Sequence, residues 1–152
     1  FAAPYALTAV IMVLNSWHSD KTAERRGHVA LVYTMSGVSL ILSVLTRDHF
    51  WLSYIFLCFA IPGPFAALAP FWAIPTETLP GNVFGPVIGL VNALGNTGGF
   101  AGPFIVGWLM TEYHSTAIPF NALGIGMLAA AALAFLLPKA RELQTIRIEP
   151  RT

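Results

Sequence analysis

Two asparagines lie four residues apart within an otherwise apolar stretch, VNALGNTGGFAGPFIVG, which runs from Val91 to Gly107. Residues at i and i+4 share one face of a helix, so the amides of Asn92 and Asn96 point the same way. An amide buried in hydrocarbon needs hydrogen-bond partners. Two interpretations remain open: bonds between helices, worth about 0.6 to 2 kcal/mol each, or a polar patch that lines a substrate cavity. The surrounding glycines favour the cavity, with Asn92 as the better ligand.

Nothing typical of enzyme chemistry accompanies these amides. The four histidines lie in loops or at the ends of apolar stretches, without the spacing of a metal site. The single cysteine, Cys58, can form no disulfide within the chain. The sequence holds no nucleophile elbow, no P-loop and no dinucleotide-binding glycine motif in a strand context. We therefore expect no enzymatic activity, no metal and no cofactor.

The composition indicates a membrane setting. Of the 152 residues, 56% are hydrophobic and 10% are charged, whereas soluble domains carry roughly 25% charged residues. The formal net charge of +1 argues against a nucleic-acid partner. Too little polar surface remains to cover a water-facing globule, so we expect the lipid bilayer to be the solvent.

The long uncharged stretches predict about five membrane-spanning helices, because backbone groups in hydrocarbon must pair within their own segment. They cover residues 1–17, 29–46, 50–74, 83–110 and 117–137, and a tail follows at 139–152. The predicted fold class is thus an all-α integral membrane helical bundle. Because the chain starts at Phe1 inside an apolar run, we expect it to be part of a longer membrane protein.

The distribution of lysine and arginine predicts the orientation. With five spans, seven of the eight basic residues fall on one side, and Arg47 alone falls on the other. The seven are Lys21, Arg25, Arg26, Lys139, Arg141, Arg147 and Arg151. The tail and the loop between the first two spans are therefore predicted to be cytoplasmic.

Proline and glycine predict where these helices bend and pack. Pro62 and Pro64 remove backbone donors inside the third span and predict a kink there, either a static bend or a gating hinge. In the fourth span, small residues four apart let helix backbones approach closely, so we expect it to pack against other helices and, on one interpretation, to slide past them. These pairs are Gly85 and Gly89, Gly95 and Gly99, and Gly98 and Gly102. After Pro75, Thr76 is predicted to cap a short helix with Glu77 in its first turn.

Three stretches resemble a known transporter family. NSWHSDKTAERRGHV, at residues 15–29, resembles the signature loop between the second and third helices of each half of major facilitator superfamily transporters. Its matching residues are Asp20, Lys21, Arg25 and Arg26, with Ser16 in place of the usual glycine. PFWAIPTETLPG at 70–81 and GLVNALGNTGGFAGPFIVGWL at 89–109 look like the anion:cation symporter branch, which includes bacterial sugar-acid, tartrate and phthalate permeases. The resemblance covers essentially the whole chain.

The resemblance implies that the five spans are helices 8 to 12 of a twelve-helix transporter in a bacterial inner membrane. Helix 7 and the N-terminal half would then be missing, and that half would be the chain's partner. The implied function is transport of a small organic anion (a sugar acid, a dicarboxylate or an aromatic acid) with proton symport, by alternating access. No Asp, Glu, Lys or Arg lies inside a confident span, so the resemblance implies that the coupling groups belong to the missing half. The alternative is a truncated membrane structural or interaction module that transports nothing.

The resemblance also implies roles for single residues. Trp72 and Asn92 would face the central substrate cavity and Asn96 would extend its wall, whereas the alternative for Trp72 is an anchor at the lipid headgroups. The loop charges Asp20, Lys21, Arg25 and Arg26 would latch the cytoplasmic side of the outward-facing state. The alternative is that the basic residues only set the topology.

Overall fold

The computed structural model describes residues 2–137 and forms helices joined by short turns. The helices are α1 (Ala2–Thr22), α2 (Arg26–Leu45), α3 (Phe50–Ala60), α4 (Pro62–Ala66), α5 (Leu68–Thr78), α6 (Gly81–Tyr113) and α7 (Ala117–Ala134). Within the described residues there is no strand, which confirms the all-α class. The predicted tail at 139–152, with four of the basic residues, lies outside the described part.

Three helical stretches of the described chain are long and apolar enough to cross a membrane. They are Arg26–Leu45, Phe50–Thr78 and Ala117–Ala134. The protein is therefore an integral membrane helical bundle, and the other two predicted spans stay predictions. Helix α1 ends in a polar turn, and α6 carries three asparagines among its glycines.

The chain between the third and fourth predicted spans is more helical than predicted. The predicted turn at 75–81 is largely helical, since α5 continues through Pro75 to Thr78. Helix α6 contains the predicted fourth span at 83–110 and runs for 33 residues without a break at Pro86 or Pro103. Helical backbone hydrogen bonds to neighbouring turns persist around an isolated proline, so a proline alone does not end a helix inside a bundle.

Helix α2 lies at the centre of the fold, and α3, α4 and α7 pack directly against it. The core between them is built from small apolar side chains: Val29, Ala30, Val32, Ala66, Ala67, Ala131 and Ala134. Small residues let the backbones approach closely, which is the main source of helix association in lipid. Where α2 crosses α7, a Cβ added at Gly37 would lie 2.8 Å from the carbonyl oxygen of Gly124.

The predicted third span is one interrupted helix made of α3, α4 and α5. The break falls at Ile61, directly before Pro62 and Pro64, as the sequence predicts for a kink. Ile61 keeps helical dihedral angles (φ −69°, ψ −38°), so the chain bends without leaving the helical region. What the prolines remove is hydrogen bonding: each lacks the N–H that would bond the carbonyl four residues earlier.

A serine of helix α2 bridges the turn that opens at the break. The Ser36 hydroxyl of α2 accepts a bond of 2.8 Å from the Gly63 N–H and donates one of 3.3 Å to the Phe59 carbonyl. These two backbone groups would bond each other in an unbroken helix. Ser36 is fully buried, so its hydroxyl bridges the opened turn within the bundle.

Candidate functional site

A cavity of about 320 Å³ lies between α2, α4, α5 and α6 and brings together Trp72, Asn92 and Tyr33. Its remaining lining consists of Pro64, Ala67, Leu68, Phe71, Val91 and Gly95. A mostly apolar pocket with a few convergent polar groups is typical of a small-molecule site. The structure thus places two of the three residues proposed for substrate contact, Trp72 and Asn92, in one cavity.

The aromatic side of the cavity is fixed by packing. Trp72 is half-buried, and its ring stands edge-on to that of Phe71, with ring centroids 5.2 Å apart and an interplanar angle of 74°. Tyr33 projects from the central helix α2 and packs against the apolar core through its ring. An indole N–H, a phenol hydroxyl and an amide are all uncharged hydrogen-bonding groups. Sequence reasoning missed Tyr33, because nothing local distinguishes it from a core aromatic residue.

Asn96 is not brought into this cavity. It lies one turn beyond Asn92 on α6, and both asparagines are exposed, but Asn96 does not line the cavity. The described residues therefore do not form the predicted extension of the wall. The predicted packing of the α6 glycines is also absent within residues 2–137. A Cβ added to any of them would meet nothing within 4 Å: Gly85, Gly89, Gly95, Gly98, Gly99 and Gly102. Within residues 2–137, close glycine contacts lie instead at the crossing of α2 and α7 and where Gly63 meets Ser36 and Val32 of α2.

A second polar site lies where α1 ends, α2 begins and α5 ends. Arg25 binds Glu77 through two nitrogens, with Nη2 at 2.8 Å and Nε at 3.1 Å from Oε1, and it also forms an ion pair with Asp20. Such a two-nitrogen contact fixes the orientation of the guanidinium as well as its position. Arg25 is largely buried, with 13% of its side chain exposed, and the bonds to Glu77 and Asp20 outweigh its desolvation and raise its pKa.

Ser19 completes this Arg25 cluster, which comprises Ser19, Asp20, Arg25 and Glu77. Its buried hydroxyl donates to the Glu24 carbonyl at 2.9 Å and accepts from Arg25 Nη1 at 3.2 Å. The cluster therefore ties the turn after α1 to the end of α5. Sequence reasoning found Asp20 and Arg25 but missed Ser19, whose role depends on a contact that only the folded turn creates.

The role predicted for Glu77 was wrong. Glu77 lies in the last turn of α5, not in the first turn of a new helix, and the Thr76 hydroxyl donates to Ala73 O within the same helix. A carboxylate near a helix C-terminus is unfavourable to the helix dipole. Glu77 is stabilised there because Arg25 supplies the compensating charge.

The two other basic residues of the loop also have defined contacts. Arg26 donates to the carbonyl oxygens of Phe135 (3.2 Å) and Leu137 (3.5 Å), which follow the end of α7. Cations are favoured where the free carbonyls of a helix C-terminus collect. Lys21 Nζ lies 5.2 Å from the ring centroid of Trp17. The loop thus joins the ends of α1, α5 and α7 at one end of the bundle, and Arg47 lies after α2 at the other.

Known proteins with similar sequences are named as transporters or transport proteins. The chain is 32% identical to a protein of Agrobacterium vitis named as a tartrate transporter, over 95% of this chain and 33% of that protein. It is 33% identical to the inner membrane transport protein RhmT of Escherichia coli K12, over 84% of this chain and 29% of that protein. It is 26% identical to a quinolone resistance transporter of Acinetobacter baumannii, over 96% of this chain and 34% of that protein.

The chain is related to membrane transporters. It spans about a third of the length of the transporters that it matches. No protein-family model matches the chain. No solved structure matches it either. The transporter names agree with the expectation of a protein that moves a molecule across a membrane and does not catalyse a reaction.

Proposed function

We propose that the chain forms helices 8 to 12 of a major facilitator superfamily transporter of the anion:cation symporter branch. In this proposal the complete protein carries a small organic anion together with protons by alternating access. The observation that carries the proposal is the 320 Å³ cavity, where Trp72 and Asn92 meet. The names of the relatives support it, since two are transporters named for tartrate or for inner-membrane transport.

The lining of the cavity suggests how the substrate would be held. Trp72 and Tyr33 offer ring faces with hydrogen-bonding groups at their edges, and Asn92 offers an amide that both donates and accepts. None of the residues that line the cavity within 2–137 is charged. This wall would therefore bind the hydroxyl-bearing or apolar body of the anion, and the N-terminal half would neutralise its carboxylate and carry the coupling proton.

The Arg25 cluster would act as the latch of the transport cycle. It joins the turn after α1 to the end of α5, the helix that carries Trp72. Because the cluster fixes the end of α5 to the turn, a movement of the turn would shift α5 and with it Trp72 in the cavity wall. In this proposal the cluster lies on the cytoplasmic side with the C-terminus, and the break at Pro62 and Pro64 is the hinge about which α5 moves.

The proposal is tested by uptake into proteoliposomes that contain the complete protein. A panel of labelled anions would include tartrate, a sugar acid and an aromatic carboxylate, each measured with and without an inward proton gradient. We expect one class to accumulate and the gradient to increase its uptake several-fold. Uptake that does not respond to the gradient for any anion would rule out proton symport, and no uptake of any anion would rule out the substrate class.

A further inference from the structure

Two histidines form a direct contact at the turn between α1 and α2. His18 Nδ1, in the last turns of α1, lies 2.7 Å from His28 Nε2, in the first turn of α2, and the ring centroids are 5.0 Å apart. The other ring nitrogen of His28, Nδ1, lies 3.0 Å from Glu24 Oε2. The three side chains form a continuous hydrogen-bonded row across the turn.

Glu24 fixes which nitrogens carry hydrogen. Its other oxygen, Oε1, accepts the Gly27 N–H at 2.8 Å, one of the free donors at the start of α2. Partial burial opposes ionisation of Glu24, but the bonds from Gly27 and His28 outweigh it, so the pKa of the carboxyl is lowered. The carboxylate therefore holds a hydrogen on His28 Nδ1. The neutral His28 then accepts at Nε2, and His18 donates from Nδ1.

The row tolerates one added proton and no more. A first proton can bind the outward-facing Nε2 of His18, and the hydrogen between the two rings stays in place. That bond then has a charged donor, which strengthens it. A second proton would have to bind His28 Nε2, so that two N–H groups and two positive charges would face each other at 2.7 Å. The contact would then open.

The charged groups around the pair are engaged elsewhere. On α1, Lys21 lies over Trp17, and Asp20 is paired with Arg25. From α5, Glu77 binds Arg25, while Arg26 binds the carbonyls that follow α7. Among residues 2–137, Glu24 is thus the acid that contacts the row, and its single negative charge balances one proton on the two imidazoles, not two.

We propose that His18 and His28 form a proton-binding site that fastens the α1–α2 turn while it holds at most one added proton, and that binding of a second proton opens the turn. Histidines titrate in the range where cells change pH, so acidification on the side that the turn faces would open it. The turn also carries Arg25, so its opening would loosen the cluster that ties α5. The proposal concerns the turn itself and does not depend on which substrate is carried.

The sign of the effect follows from proton counts. Below the usual pKa of histidine, both imidazoles are protonated in the unfolded chain, whereas the closed contact accepts one proton. The native state then binds fewer protons than the unfolded state, and stability rises with pH. The contact contributes while the pair holds at most one added proton, and its contribution is lost when both rings are protonated.

The test is a double-mutant cycle on the complete protein in detergent, with melting temperature as the readout. His18→Phe, His28→Phe and the double variant keep a ring at each position but remove the nitrogens. At pH 7.5 we expect the double variant to lose less than the sum of the single losses, which shows coupling. At pH 5.0 we expect the coupling to vanish. Equal coupling at both pH values, or no coupling at pH 7.5, would overturn the proposal.

A second measurement needs no substitution and so tests the proposal even if the variants do not fold. Nuclear magnetic resonance of histidine-labelled protein in nanodiscs follows each ring nitrogen from pH 8 to pH 5. We expect His18 and His28 to titrate in two separated steps that both rings report, as coupled sites do. His49, which directly precedes α3 at the other end of α2, serves as the matched control and should show no coupling to either ring. Two independent single steps for His18 and His28 would also overturn the proposal.

Discussion

The side-chain nitrogen of Asn15 lies 2.9 Å from the carbonyl oxygen of Ala66, the acceptor that Pro70 leaves without a backbone donor. In an unbroken helix, the N–H of residue 70 would bond this carbonyl, but proline has none. Asn15 of α1 is buried and supplies the missing donor from outside the helix. With Ser36 from α2, it explains how the interrupted helix α3–α5 keeps its backbone paired inside a bilayer.

The contact between Asn15 and Ala66 predicts a specific rescue. Asn15→Leu should lower the stability of the complete protein by about 0.6 to 2 kcal/mol, the range for hydrogen bonds between membrane helices. Pro70→Ala restores a backbone donor for Ala66 O, so Asn15→Leu should cost clearly less in that background. Thermal unfolding in detergent of the four proteins measures both costs. Equal costs in the two backgrounds would show that Asn15 does not replace the missing backbone bond.

Two glycines of α7 should respond differently to the same substitution. A Cβ at Gly124 would lie 3.0 Å from the Gly37 carbonyl oxygen and 2.7 Å from a side-chain carbon of Ile41, whereas a Cβ at Gly126 meets nothing within 4 Å. Gly124→Ala should therefore destabilise the protein by about 1 to 3 kcal/mol through overpacking. Gly126→Ala should be neutral or stabilise by up to about 1 kcal/mol through helix propensity. Similar melting temperatures for both variants would contradict the close crossing of α2 and α7.

Arg25 and Glu77 should act as one unit. Arg25→Lys loses the two-nitrogen contact, and Glu77→Gln loses its charge, so each should cost about 1 kcal/mol of stability. Because the two changes remove the same interaction, the double variant should be little worse than the poorer single variant. Arg47→Lys, at the other end of the bundle, is the matched control and should have no effect. Fully additive losses at positions 25 and 77 would mean that the ion pair contributes nothing.

Ala23 occupies a backbone conformation that favours glycine. Its φ of 51° falls in the left-handed region, in the turn just before Arg25. A Cβ in this region costs roughly 1 to 2 kcal/mol, part of which Ala23→Gly should recover. The exposed Ala132→Gly within α7 is the control and should destabilise by about 0.5 to 1 kcal/mol. A lower melting temperature for Ala23→Gly would contradict the strained turn.

The features that the sequence predicts well depend on local chemistry. Long stretches without charged residues predict membrane helices. Pro62 and Pro64 predict the break at Ile61, because a proline lacks the N–H that would bond the preceding turn of the same helix. Partners from distant positions are not predictable in this way. Glu77 and Arg25 are 52 residues apart, and nothing in either local segment indicates that they meet.

The same limit explains the mixed outcome for the candidate site. Helical spacing correctly places Asn92 and Asn96 on one face of α6, but it does not say how far along that face a cavity extends. Of the α6 residues, Val91, Asn92 and Gly95 line the cavity, and Asn96 does not. Glycine spacing likewise indicates that α6 can be approached closely, yet not by which helix. In the proposed transporter, that helix belongs to the N-terminal half.

In the proposed transporter, the cavity lined by Asn92 binds the transported anion. The most direct test compares Asn92→Ala with Asn96→Ala in the complete protein, by measuring the KM for uptake of the anion that proteoliposomes accumulate best. Loss of one hydrogen bond to the substrate predicts a KM about 5- to 10-fold higher for Asn92→Ala, with normal membrane insertion, and an unchanged KM for Asn96→Ala. An unchanged KM for Asn92→Ala, or equal increases for both variants, would contradict the claim.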